Sequence, residues 1–108
     1  MTDQEKRKQY MEEHFEEAVR LLRTLGQIPA PSHREDQRVE FCRNWFRDQG
    51  AEDVYVDEAK NVVCRVKGKD PESVTVIMAH MDVVFPDETM LPLREENGYF
   101  YAPGIGDD

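Results

Sequence analysis

Cysteine is scarce in this sequence. Only Cys42 and Cys64 occur, and they form no Cys-x-x-Cys pair, which excludes a disulfide framework and a thiolate zinc site. Both lie among apolar residues and are expected to be buried free thiols. No run approaches the roughly 20 apolar residues that a membrane span needs. No apolar core follows the charged opening MTDQEKRKQYMEEH, so a secretory leader is not expected. Internal repeats and low-complexity tracts are missing as well. These absences predict a reduced, cytoplasmic setting without a membrane partner.

Positive charge is short, above all near the C-terminus. From Met81 to Asp108 one base, Arg94, stands against seven acids, and the whole chain carries a formal net charge of −9. Phosphate binding needs a basic surface, so a nucleic-acid partner is disfavoured. No calcium-loop spacing occurs among these acids, which ranks a simple cation-binding module lowest. Asp87, Glu88, Glu95 and Glu96 are expected to be solvated loop residues.

The 108 residues, 39% hydrophobic and 34% charged, suffice for one small domain with a modest core. Met11, Phe15, Ala18, Leu22 and Leu25 recur at helical steps, with Val19 and Leu21 beside them. They predict an amphipathic helix from about Thr2 to Leu25, stopped by Gly26, with His14 at the stripe's edge. Pro29 and Pro31 impose an extended break. Ser32 and Glu35 have capping-box spacing, so a second helix should begin at His33 or Arg34 and run to Gln49, before Gly50. Val39, Cys42, Trp45, Phe46 and Gln49 mark its inner face, and His33 should face solvent. Alternation through Val54 and Val56, then Val62, Cys64 and Val66, reads as a hairpin. In SVTVIMAH both alternating faces are apolar, the mark of a strand covered on both sides. A short strand, a Glu-Asn-Gly turn and a strand through Tyr99 and Tyr101 close the chain. The expected fold class is α/β: a layered domain with two N-terminal helices, then strands in a mixed sheet.

Chemistry concentrates in VIMAHMDVVFP. His80 and Asp82 close the expected central strand, at the end where α/β sheets place their ligand sites. Along a strand, residues two apart share a face. An imidazole can then offer one nitrogen to a metal while a carboxylate holds the other N–H. The alternative is a capped strand end with no chemistry. Further on, Gly104 and Gly106 can bend the chain so that Asp107 reaches a cation at His80. Imidazole and carboxylate ligands together favour zinc, with cobalt or manganese as substitutes.

IPAPS, the hairpin with DEAKNVV, the strand VTVIMAHMDVVFP and the loop APGIGDD follow one another in order over nearly the whole chain. As a set they resemble the N-terminal part of the co-catalytic zinc peptidases and deacylases, among them peptidase T, glutamate carboxypeptidase, dipeptidases, aminoacylase and acetylornithine deacetylase. The resemblance implies an α/β/α layered catalytic domain with two zinc ions. It assigns His80 as a zinc ligand, Asp82 as the catalytic residue that orients it, and Asp107 as the carboxylate bridging both metals. The implied reaction is metal-assisted hydrolysis of an amide bond in a peptide or N-acyl amino acid, with a glutamate as general base.

That glutamate belongs to a Glu-Glu pair downstream of the bridging aspartate, and no such pair follows Asp107 here. Residues 1–108 are therefore expected to be a truncated catalytic domain, without the lid or dimerisation domain. The chain alone should bind metal weakly or not at all and be inactive. Peptidase is preferred over deacylase because APGIGDD looks closer to the peptidase members. The competing reading is a non-catalytic truncated gene product, or a structural domain that self-associates through an open sheet edge.

Overall fold

The computed structural model describes residues 1–66, 68, 70, 72–86 and 89–106. Helix α1 spans Asp3–Gln27. It opens on a capping box: the Glu5 N–H donates to Thr2 Oγ1 at 3.1 Å and the Thr2 N–H to Glu5 Oε2 at 2.9 Å, satisfying two of the amides that a helix start leaves unpaired. Asp3 and Glu5 also suit the positive end of the helix dipole.

The helix forms as expected, but its apolar stripe is not its buried side. Met11 and Phe15 are 70% and 66% exposed. Packing concentrates at the C-terminal end. There buried Gly26 lies against Ile105, and the Leu91 N–H donates to the Gln27 carbonyl at 2.9 Å. Gly26 therefore does not stop the helix; a close neighbour requires its small size. Arg23 grips Glu95 through two bonds of 2.8 and 2.9 Å and lies over the Phe100 ring, fastening α1 to the last hairpin.

Helix α2 spans Asp36–Asp48, later than the sequence predicts. The Glu35 carboxylate accepts from the His33 N–H at 2.9 Å, and the Arg34 N–H donates to the Pro31 carbonyl at 2.8 Å. His33, at φ 69°, completes a tight turn. Glu35 is the N-cap residue, but its side chain is spent on the turn ahead of the helix, and Ser32 and Glu35 form no capping box. Val39 is buried, Cys42, Trp45 and Phe46 are half-buried, and Gln49 is exposed. The inner face packs on an antiparallel hairpin, β1 (Glu52–Val56) with β2 (Val62–Arg65). The cysteines are free thiols, half-buried rather than buried.

Strands β3 (Arg94–Glu96) and β4 (Tyr99–Tyr101) form the second hairpin. Asn97 at φ 53° and Gly98 at φ 79° make its turn, the left-handed pair that matches strand twist.

The mixed α/β class is as expected; the single mixed sheet is not. Among the described residues there are two separate two-stranded antiparallel sheets. Residues 73–80 join neither and lie exposed, with Val76 at 73% and Ile77 at 95%. A central strand needs a neighbouring backbone on each edge and a packed layer on each face. The described residues supply neither, so period-two apolarity alone makes no strand. Among the described residues, parallel pairing is reduced to one bridge, Pro31 with Val83. The radius of gyration, 16.0 Å, exceeds the ~13 Å of a compact chain this long. Among the described residues, no helix is long and apolar enough to cross a membrane.

Candidate metal centre

Ala30, Val83 and Leu91 are fully or almost fully buried, and they mark where distant segments meet. The Val83 N–H donates to the Ala30 carbonyl at 2.8 Å, beside the Pro31–Val83 bridge. Arg38, only 9% exposed, reaches from α2 and donates to two carbonyls, Ile28 at 2.9 Å through Nε and Met81 at 2.7 Å through Nη1. Burial pushes the guanidinium's pKa down, while nearby Cys42 and Asp82 push it up. A buried charge is tolerable when its donors are spent on hydrogen bonds. The proline-rich break is thereby clamped beside the His-x-Asp segment.

His80 and Asp82 meet in that clamped segment. His80 Nδ1 lies 3.1 Å from Asp82 Oδ1 and 3.1 Å from the Asp82 carbonyl oxygen. A carboxylate and a carbonyl only accept, so Nδ1 carries the proton. In the neutral ring the lone pair then resides on Nε2, the arrangement found in metal-binding histidines. The other Asp82 oxygen, Oδ2, accepts from the Ser32 hydroxyl at 2.5 Å. That bond above all holds the Asp82 carboxyl below its usual pKa, with the His80 bond and charge acting in the same direction and desolvation opposing. The site is half-open: the side chains of His80 and Asp82 are 41% and 33% exposed.

A third segment arrives through Gly104. At φ +72° it lies so close to Val83 that a Cβ would stand 2.7 Å from Val83 Cγ1. The loop APGIG is thus pressed against the residue that follows Asp82. Asp107, the expected bridging carboxylate, lies outside the described residues. Among the described residues no group of three or more His, Cys, Asp and Glu could hold a metal ion. The donor chemistry fits one imidazole ligand with its orienting carboxylate. Cys42 adds nothing, because burial raises its thiol pKa and keeps it protonated. His14 is engaged locally: its Nδ1 donates to the Tyr10 carbonyl at 2.8 Å and its ring stacks on Tyr10. His33 is an exposed turn residue.

Sequence reasoning missed Ser32 and Arg38. Arg38 stands four residues before Cys42 and seven before Trp45, so helical periodicity put it on the inner face in plain view. Ser32 had no such signal, because its partner is fifty residues away and the nearby Glu35 offered a local explanation.

The chain is 35% identical over 92 residues to a Thermococcus kodakarensis protein that carries the provisional name LysW-lysine/LysW-ornithine hydrolase. A Pyrococcus furiosus protein of the same provisional name is 33% identical over 92 residues. Each alignment covers 85% of this chain, which spans only about a quarter of the length of these curated relatives. No family model and no solved structure matches. The similarity runs over nearly the whole of this chain and is to two proteins named as hydrolases.

Proposed function

We propose that this chain carries the His-x-Asp part of a metal-dependent amidohydrolase. The observation that carries the reading is the His80–Asp82 pair: Nδ1 faces two acceptors on Asp82, the arrangement by which a carboxylate orients a metal-binding histidine. His80 would be one ligand and Asp107 a second, bridging a pair of zinc ions. The metal would supply Lewis-acid polarisation of the scissile carbonyl. The protein's own part is to hold the imidazole in one tautomer and orientation and to keep the Gly104 loop against Val83, the residue after Asp82. Two ligands fall short of the three that a catalytic zinc site usually has, so metal binding by these residues is weak and the chain alone does not turn over substrate. The relatives' names favour hydrolysis of a lysyl or ornithyl conjugate, a deacylase-type substrate, over a free peptide.

Calorimetric titration with zinc tests this. Weak, chelator-reversible binding that disappears in His80→Ala and in Asp107→Ala is the expected result. Binding indifferent to both changes, or none, would remove the metal reading.

A second reading has its own observation. Residues 73–80 carry no charged side chain and expose Val74, Val76, Ile77 and Met78 at 73–95%. Such a segment favours self-association by strand pairing. Light scattering across a concentration series tests it; a monomer throughout would discard it.

A further inference from the structure

We propose that Ser32 is a positioning residue for His80, acting through Asp82. The proposal rests on the reading of His80 as a metal ligand and adds the group that fixes its direction. The two Asp82 oxygens are divided between two partners. Oδ2 takes the Ser32 hydroxyl at 2.5 Å and Oδ1 faces His80 Nδ1 at 3.1 Å. A carboxylate held at one oxygen can turn about its side-chain torsion; held at both, its plane is set. The imidazole plane, and with it the direction of Nε2, is set by that plane together with the Asp82 carbonyl oxygen, which also lies 3.1 Å from Nδ1.

Ser32 can do this because its own backbone is anchored to the same segment. The Val83 N–H is bound to the Ala30 carbonyl, Pro31 bridges to Val83, and Arg38 joins the carbonyls of Ile28 and Met81. The turn after Pro31, closed by the Arg34 N–H and by His33 at φ 69°, points the Ser32 side chain across to Asp82. Asp82 is 33% exposed at its side chain, so water competes for Oδ2. Without the hydroxyl, water takes that place and the carboxylate swings.

The test is nitrogen NMR of the His80 ring in the whole 108-residue chain, at one fixed pH where the ring is neutral. The wild type should show the Nδ1–H tautomer. Ser32→Ala should shift it towards a mixture, whereas Ser32→Thr, which keeps the hydroxyl, should preserve it. The Val83 amide should stay protected in all three, separating positioning from unfolding. Zinc affinity should fall about tenfold in Ser32→Ala, as for other groups that orient a ligand. An unchanged tautomer in Ser32→Ala would overturn the proposal. So would a wild type in which Nε2–H dominates, with no variant needed. Failure of zinc to bind the wild type would instead count against the metal reading, leaving the tautomer result to decide the role of Ser32.

Discussion

Gly104 and Val83 stand in a contact that only glycine permits. A Cβ on Gly104 would lie 2.7 Å from Val83 Cγ1, and its φ of +72° disfavours any L side chain. Gly104→Ala should therefore cost about 1–3 kcal/mol, measured as a lowered urea midpoint. Among the described residues no atom lies within 4 Å of where a Cβ on Gly106 would stand, and its φ is outside the left-handed region. Gly106→Ala should stay within about 0.5 kcal/mol of wild type. Equal effects of the two changes would contradict a loop pinned at Gly104.

The core is small, so single residues weigh heavily. Leu91 is 1% exposed, and its backbone N–H ties it to the end of α1. Leu91→Ala should destabilise by about 2–5 kcal/mol, a large share of the stability of any small domain. Phe15→Ala, at a site 66% exposed, should change the same urea midpoint little.

Acid should unfold the protein through its paired carboxylates. The Ser32 hydroxyl first, then His80, lowers the Asp82 pKa, and the Arg23 bonds lower that of Glu95. Groups depressed in the folded state contribute fully above the unfolded carboxylate range, about 3.9–4.3. That contribution is lost as pH falls through the lower folded values. Chemical-denaturation stability should hold level above about pH 5 and fall below about pH 4, with a shallower fall in Asp82→Asn.

Residues 73–80 give a test of self-association at the residue level. Ile77, 95% exposed, sits mid-segment, and Ile77→Lys should abolish any concentration-dependent dimer seen by light scattering. Phe15→Lys, on the exposed stripe of α1, should leave such a dimer intact. The reverse outcome would move the contact surface to α1.

What could be read in the sequence was whatever short-range rules decide. The apolar steps from Met11 to Leu25 marked α1, Asn97-Gly98 closed β3 to β4, and Val54 and Val56 alternated into β1, each governed by residues within a few positions. Burial was not legible in the same way. The Met11–Phe15 stripe and the SVTVIMAH segment have the patterns of buried elements, yet a pattern states only which surface prefers cover, not whether cover is present. The site was legible by type at His80 and Asp82, whose spacing carries the geometry, and illegible at Ser32. There a local cap with Glu35 competed with a partner in another segment, and the tertiary contact won.

The central claim is that a metal is taken at His80, where the segments 30–32, 80–83 and 102–106 converge. The most direct measurement is an NMR titration of the 108-residue chain with zinc, following backbone amides and histidine ring signals. Shifts confined to His80 and to residues 80–83, 30–32 and 102–106, reversed by a chelator, are the predicted result. Shifts centred on His14 or His33 with His80 unmoved would contradict it.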